Sequence, residues 1–232
     1  MNNLKVYQWG RTYYEDALRR QQEIHDRNLQ GEAPDTLILT EHWPVITLGR
    51  SSNRNDLLLP ASEITGQGIQ IFEVGRGGQI TYHGPGQLLI YPIVNLKRYG
   101  RDLHHYCRLV EEVGIRLLSG YGIQAERKSG WPGIWVGPSK IASFGVEVKK
   151  WVTMHGMALN VWHNQEGFKL INPCGIKGCA MTSMENELKQ APDFQGVVED
   201  VIKIFIQVFG YESFSLTSYG MGGTMNVKST KT

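Results

Sequence analysis

Apolar residues recur at intervals of three and four in two segments, and this spacing predicts two amphipathic helices. The first covers residues 103–119 and ends at Gly120, and the second covers residues 194–209 and ends at Gly210. The positions that these helices turn inward are Leu103, Tyr106, Val110, Val113 and Leu117 in the first and Val197, Val201, Ile204, Phe205 and Val208 in the second. A third helix is predicted over residues 14–29, before Gly31.

Strand patterns fill much of the chain between these helices. Apolar runs bounded by turn residues predict strands at 5–9, 69–74, 88–94, 133–136, 141–148 and 152–161, and two more within 36–50. Helices that flank a strand-rich middle without regular alternation are typical of an α+β fold with a mixed, mostly antiparallel sheet. We therefore expect this architecture rather than a doubly wound parallel sheet.

Composition sets the broad class of the protein. The chain has 232 residues, of which 41% are hydrophobic and 20% charged, as in an ordinary globular domain. We predict one domain over residues 1–218 and a flexible tail over residues 219–232, where Gly, Ser and Thr are frequent. A net charge of +2 is too small to indicate nucleic-acid binding, and the first residues lack a secretory or membrane-spanning apolar run, so we expect a cytoplasmic protein.

The stretch GRGGQITYHGPGQLLIYPI, residues 75–93, sets glycines and prolines around one histidine. Because proline fixes φ and glycine permits positive φ, the GPG at 84–86 predicts a turn. One interpretation is a hairpin that joins the strands at 69–74 and 88–94. The other is a ligand cradle, in which polar side chains stand next to backbone without Cβ atoms. These side chains are Arg76, Gln79, Thr81 and His83.

Three cysteines are an odd number, which argues against a disulfide framework and fits a reducing compartment. Cys107 lies on the apolar side of the predicted helix 103–119, so we interpret it as a packed hydrophobic residue. Cys174 lies between Pro173 and Gly175, outside any periodic apolar run, which is typical of a nucleophile. Cys179 follows at a spacing unlike that of a zinc site, and we expect no metal.

A cysteine nucleophile needs help, because an ordinary thiol is mostly protonated at neutral pH. The candidate helpers are Lys140, His83 and His155. Lys140 opens the strand-like run KIASFGVEV, where its amine faces either a cleft or water. His155 is a candidate for a hydrogen-bonded core histidine as well as for a catalytic one. The residues alone leave this choice open.

Three segments in order resemble the octanoyltransferases of lipoate biosynthesis, in the biotin and lipoate protein ligase superfamily: RGGQITYHGPGQLLIYPI, KIASFGVEVKKWVTMHGMALNV, and NPCGI followed by TSM. The resemblance covers residues 45–183. It implies a ligase-like catalytic domain with an acyl-binding cleft and a catalytic pair, Cys174 and Lys140, that needs no cofactor. It also implies a set of substrate-binding residues: Arg76, Gly77, Gly78, Gln79, Ile80, Thr81, Tyr82, His83, Ser143, Phe144, Gly145, Gly156, Met157 and Ala158. We expect His155 to lie behind them, in support of these residues.

The resemblance implies transfer of an octanoyl group from octanoyl-acyl carrier protein to a lysine of lipoyl domains, through a cysteine thioester. The acceptors would be 2-oxoacid dehydrogenase subunits and the glycine cleavage H protein. The main alternative is an ATP-dependent lipoate or biotin protein ligase. Transfer between two lipoyl domains and a non-catalytic module that binds the carrier are further alternatives.

Partners are expected to be proteins only, without nucleic acid or membrane, and the enzyme is expected to be a monomer. Basic side chains suit contacts with an acidic carrier protein. The candidates for these contacts are Arg50, Arg54 and Lys149. A second basic group is interpreted as either a solvated face or a contact with an acidic partner, and it contains Lys97, Arg98, Arg101 and Arg108.

Overall fold

The computed structural model describes residues 3–163, 166–175, 178–219 and 225–231, with 219 and 225–231 described by their backbone only. The helices are α1 (Tyr14–Leu29), α2 (Ala61–Gly66), α3 (Leu103–Gly120), α4 (Met184–Leu188) and α5 (Phe194–Phe209). The strands are β1 (Asn3–Thr12), β2 (Asp35–His42), β3 (Val45–Leu48), β4 (Gln70–Glu73), β5 (Ile80–His83), β6 (Gln87–Ile93), β7 (Glu126–Lys128), β8 (Trp131–Val136), β9 (Ser139–Lys149), β10 (Val152–Asn160), β11 (Ser213–Tyr219) and β12 (Met225–Lys231).

Nine strands form a mixed sheet in the order β12-β11-β1-β2-β6-β10-β9-β8-β7. β1 runs parallel to both β2 and β11, and the other pairs are antiparallel. Alternate side chains of each strand enter different cores. Leu88 and Ile90 pack in the core that includes α3 and α5, whereas Leu89 and Tyr91 pack with Ala17 of α1. The predicted α+β fold with a mixed sheet is confirmed.

A second, three-stranded sheet has β3 between β4 and β5. The hairpin interpretation of residues 69–94 is therefore wrong, because β4 belongs to this small sheet and β6 to the large one. Between them lies β5, which the glycine-rich pattern did not predict. Local alternation shows that a segment is extended but not which strand it pairs with. The glycine-rich stretch thus crosses from one sheet to the other and forms part of the wall between them.

The ladder between β6 and β10 is interrupted next to this wall. Pro92 stands on a buried strand, where it has no N–H to give to its neighbour. Continuing the register places His155 opposite Pro92, and there β10 departs from ordinary strand geometry, with φ of +63° at His155 and +158° at Gly156. The amide of His155 donates instead to Gln21 Oε1 of α1, at 3.2 Å. The irregularity therefore fixes His155 between the large sheet and α1.

Two expectations concern the chain as a whole. Residues 225–231 pair as a strand with β11, while residues 220–224 and 232 lie outside the described residues. The predicted domain boundary at residue 218 and the flexibility of residues 219–232 stay predictions. Within the described ranges, no helix combines the length and the apolar character that crossing a bilayer requires.

Candidate active site

A cavity of about 860 Å³ lies against strands β5, β6, β9 and β10 and extends to the first turns of α3. Its innermost walls include Tyr14, Leu89 and Tyr91, whose side chains are at most 4% exposed. At the other end stand Leu103 and Trp131, which are 37% and 47% exposed. The cavity is therefore closed at one end and open to solvent at the other. Such a shape fits a chain-like substrate whose carrier stays outside.

The cavity brings together nearly all of the predicted site residues. Its lining contains Cys174, Lys140, Arg76, Gly77, Gly78, Gln79, Ile80, Thr81, His83, Ser143, Phe144, Gly145, His155, Gly156, Met157 and Ala158. Tyr82 is placed elsewhere, because strand alternation turns it to the opposite side of β5 from Thr81 and His83. There its ring packs edge-on against Phe168, with ring centroids 5.6 Å apart.

The centre of the site is a contact between a thiol and an amine. Lys140 Nζ lies 2.9 Å from Cys174 Sγ and donates a hydrogen bond to it, although 34 residues separate the two. Cys174 lies in a 3₁₀ turn, Pro173–Gly175, with a left-handed φ of +57°, which is uncommon for a residue other than glycine. Unusual backbone of this kind is frequent at functional sites.

The amine is held in place by its own strand and by the loop after Cys174. Lys140 is only 2% exposed, and its backbone N–H and C=O bond to Ala180 and Thr182, at 2.8 and 2.9 Å. Gly133 on β8, with φ of +117°, makes room for it, because a Cβ there would lie 2.5 Å from Lys140 Cε. Lys140 Nζ also lies 5.4 Å from the centroid of the Trp135 ring, a cation–π distance.

His83 lines the same cavity as the pair, but its imidazole is fully engaged. Gln87 Nε2 donates to Asn160, so Gln87 Oε1 accepts from His83 Nδ1 at 2.6 Å. Thr47 Oγ1 receives a bond from Arg76 and donates to His83 Nε2 at 3.3 Å. Burial lowers the pKa of His83 to about 3. His83 is thus a neutral, fixed part of the wall rather than a general base.

His155 is also buried and is not bonded to the thiol. Its Nε2 lies 3.8 Å from Glu147 Oε2, beyond hydrogen-bond distance, and has no hydrogen-bond partner in the described structure. Burial lowers the pKa of His155, and the nearby Arg76 cation acts in the same direction, while Glu147 opposes it. Of the three residues predicted to assist the thiol, Lys140 is therefore the one that contacts Cys174 Sγ in the structure.

Several polar atoms of the cavity wall lack partners within the described chain. They are Arg76 Nε, Gln79 Oε1, Thr81 Oγ1 and His155 Nε2. A buried polar atom without a partner costs about 1–3 kcal/mol, so these atoms are available to bond water or the polar atoms of a ligand. Gln79 stands directly beside the nucleophile loop, because a Cβ on Gly175 would collide with its side chain.

Arg76 adds a buried positive charge to this wall. Its guanidinium donates to Thr47 O and Oγ1, both at 2.8 Å, and to Gly77 O at 3.1 Å, and it makes no ion pair within the described residues. Burial lowers its pKa, whereas the nearby Tyr14, Tyr91 and Cys174 act in the opposite direction. The charge is therefore held by neutral oxygens and is available to polar or negative atoms of a substrate.

Sequence reasoning missed several residues that shape the site. These are Tyr14, Thr47, Tyr91, Trp135 and Glu147. Thr47 gave one signal, as a polar residue inside the apolar run VITL, and Pro92 next to Tyr91 gave another, as a proline inside a buried run. No pattern in the sequence marks Tyr14 or Trp135. Within the described residues, no three His, Cys, Asp or Glu side chains converge as metal ligands do.

Comparison with known proteins identifies the family. A sequence model of the lipoyl protein ligase A/B catalytic domain matches residues 13–206. An octanoyltransferase of Caldicellulosiruptor saccharolyticus is 46% identical to the chain, and the match covers 85% of each protein. An octanoyltransferase of Desulforamulus reducens is 42% identical, and the match covers 90% of this chain and 92% of the relative. Lipoate-protein ligase A bound with ATP has the same fold at 14% identity, with a TM-score of 0.77 over 95% of this chain and 90% of its own. The chain therefore belongs to the lipoyl protein ligase A/B catalytic domain family.

Proposed function

We propose that this protein transfers an octanoyl group from octanoyl-acyl carrier protein to a lysine of lipoyl domains, by way of a thioester on Cys174. The observation that carries the proposal is the 2.9 Å contact between Lys140 Nζ and Cys174 Sγ at the wall of the cavity. Support for the octanoyl group comes from relatives named octanoyltransferase at 41–46% identity over most of the chain. The family and the fold alone would fit several acyl reactions.

In the first half-reaction, Cys174 Sγ is the nucleophile. Lys140 as an ammonium stabilises the thiolate by its charge and hydrogen bond. The sulfur attacks the thioester carbonyl, the bond to the carrier's thiol breaks, and the octanoyl group is left on Cys174. Lys140 gives its proton to the departing thiolate, so that the amine is neutral when the acyl-enzyme has formed.

In the second half-reaction, the acceptor lysine enters as a neutral amine. It attacks the Cys174 thioester, the carbon–sulfur bond breaks, and an octanoyl amide forms. The neutral Lys140 takes up the proton that the attacking nitrogen loses, which restores the ammonium and the thiolate. The backbone amides of Gly77 and Gly175 are already engaged, since Gly77 N donates to Val146 O and Gly175 N donates to Asn172 O.

An ATP-dependent ligase is the main competitor, because solved ligases share the fold. A ligase activates a free acid as an adenylate and needs no thiol in contact with its lysine. The paired Cys174 and Lys140 therefore favour acyl transfer from a thioester. The ligase neighbours are 13–16% identical, which bears on the fold alone.

The test is a reconstituted reaction without ATP. Protein, octanoyl-carrier protein and a lipoyl domain are mixed, and intact mass spectrometry follows the lipoyl domain. We expect a gain of one octanoyl group on its target lysine. Octanoate with ATP should give no product. Product from octanoate and ATP alone would identify a ligase, and product from an octanoylated H protein but not from the carrier would identify transfer between lipoyl domains.

A further inference from the structure

The open end of the cavity is bordered by two exposed apolar and two basic side chains. We call this set the cationic rim, and it consists of Leu103, Arg108, Lys128 and Trp131. Leu103 and Trp131 are among the few large hydrophobic side chains that the described chain exposes. Leu103 was predicted to face inward, but it begins α3 and its side chain lies beside the opening. An exposed apolar patch next to a site is typical of a protein contact surface.

The charge of the rim is positive because the nearby carboxylates are already paired. Arg127 binds Glu111 at 3.1 Å and Glu112 at 2.9 Å, and Arg116 binds Glu112 at 2.9 Å. Arg108 is exposed and makes no ion pair in the part of the chain that the structure describes. Its charge is therefore free to attract an anionic partner.

A single indole connects the rim to the catalytic pair. Lys128 Nζ lies 4.7 Å and Lys140 Nζ 5.4 Å from the centroid of the Trp135 ring. The same indole donates a hydrogen bond to Trp131 O at 3.1 Å. Trp135 thus lies between the two lysines, behind Trp131, which lines the cavity.

The basic residues first considered for the carrier are less suitable. Arg50 forms an ion pair with Glu147 at 3.2 Å, and Arg54 forms one with Glu73. Ion pairs of this kind cancel much of the charge that would steer a partner. Lys149 is exposed and makes no ion pair among the described residues, but it does not line the cavity, whereas Arg108 and Lys128 do.

We infer that the cationic rim docks the acidic acyl carrier protein and directs its phosphopantetheine arm past Trp131 to Cys174. This inference rests on the proposed function. The carrier's acidic surface would meet Arg108 and Lys128, while Leu103 and Trp131 would supply apolar contact. Charged contacts at the edge of an interface act mainly on the association rate. They should therefore change the KM of the donor more than kcat.

The experiment compares octanoyl donors that share the thioester and differ in what is attached to it. Arg108→Glu and Arg108→Ala are assayed for acyl-enzyme formation with octanoyl-carrier protein, octanoyl-phosphopantetheine and octanoyl-pantetheine. Lys203→Glu on α5 changes the net charge as Arg108→Glu does and is the matched control. Thermal unfolding of each variant checks the fold.

We expect Arg108→Glu to raise KM for octanoyl-carrier protein about tenfold with little change in kcat, and Arg108→Ala to raise it less. Octanoyl-pantetheine and the control should be unaffected. The docking role would be overturned if Arg108→Glu left the kinetics with octanoyl-carrier protein unchanged, or if it slowed acyl-enzyme formation equally with all three donors. An equal loss with octanoyl-phosphopantetheine and the carrier would assign Arg108 to the phosphate and overturn docking of the protein. If the unaltered protein forms no acyl-enzyme with any donor, the proposed function fails first, and docking with it.

Discussion

Two cysteines line the same cavity in opposite electrostatic settings. Cys107 lies on α3 and packs against the core, where burial, with Glu111 adding to it, raises the pKa of its thiol to about 11. Cys174 lies in a strained turn with the Lys140 amine 2.9 Å from its sulfur. Both thiols have access to the cavity, so we expect the neighbouring charge to decide which of them reacts, because a cation favours the thiolate and an apolar or acidic setting opposes it.

Serine substitutions give the largest expected contrast between the two thiols. Cys174→Ser should lower octanoyl transfer by about 10³-fold or more, because the weakly acidic hydroxyl cannot replace the thiolate. Cys107→Ser should retain transfer within about twofold, with only a small loss of stability. Initial rates of amide formation on a lipoyl domain measure both. Equal losses in the two variants would remove the distinction.

Substitution of the amine sharpens the comparison by removing the charge and keeping the thiol. Lys140→Ala should slow acylation and transfer by about 10²–10³-fold each. Lys140→Arg keeps the charge but cannot take up a proton, so it should spare acylation more than transfer. Single-turnover measurements separate the two half-reactions. The same loss in both for Lys140→Arg would contradict the dual role, and Lys203→Ala serves as a remote control.

Displacing the amine without changing it is expected to have a smaller effect. In Gly133→Ala the new Cβ would collide with Ala142 O and Lys140 Cε, and the residue would keep a φ of +117°, which is strained for alanine. We therefore expect the free energy of unfolding to fall by about 1–3 kcal/mol and acylation to become slower. Gly122→Ala has φ of +77° and open space around the Cβ. It should cost about 1 kcal/mol and leave acylation intact. Chemical denaturation and acyl-enzyme formation test the pair, and normal acylation in Gly133→Ala would argue against precise placement of Lys140.

Burial also shifts the pKa of two histidines toward the neutral form, as it does for Cys107, because no opposite charge among the described residues is in contact with their rings. Burial lowers the pKa of His42 to about 4 and of His83 to about 3, from 6.5. The unfolded chain therefore takes up protons below pH 6.5 that the folded chain does not. Stability should be complete above that pH and should fall between pH 6 and 4.5 by about 1.4 kcal/mol per pH unit for each histidine.

Urea denaturation across this pH range measures that slope. His42→Asn should reduce it by the contribution of one proton, relative to the unaltered protein. His104→Gln, at an exposed position, should leave it unchanged. A stability that stays constant from pH 7 to pH 4.5 would show that these imidazoles are not buried as neutral groups.

Local periodicity predicted the three long helices, α1, α3 and α5, but not the short α2 and α4. The bounds of α1 and α5 agree with the prediction, and α3 is one residue longer. An amphipathic helix is encoded within its own segment, so the sequence is enough to locate it. The exposed Leu103 is the exception, because the first turn of α3 extends past the core to the cavity opening.

Strand partners and site contacts were less accessible to sequence reasoning. The sequence located β4 and β6 but not their membership of different sheets, and it did not reveal β5. The contact between Cys174 and Lys140 was expected from resemblance to a family, since no local pattern connects residues so far apart. Tyr14 reaches the cavity, and Trp135 reaches Lys140, only through the tertiary fold, which a pattern within one segment does not specify.

The most direct test of the central claim is the position of the trapped acyl group. The protein is incubated with octanoyl-carrier protein in the absence of acceptor, quenched in acid, digested and mapped by tandem mass spectrometry. One octanoyl group should be found as a thioester on Cys174, and it should be absent from Lys140→Ala at short reaction times. An octanoyl group on Cys107 or Cys179, or an adduct that forms as fast without the Lys140 amine, would contradict the mechanism.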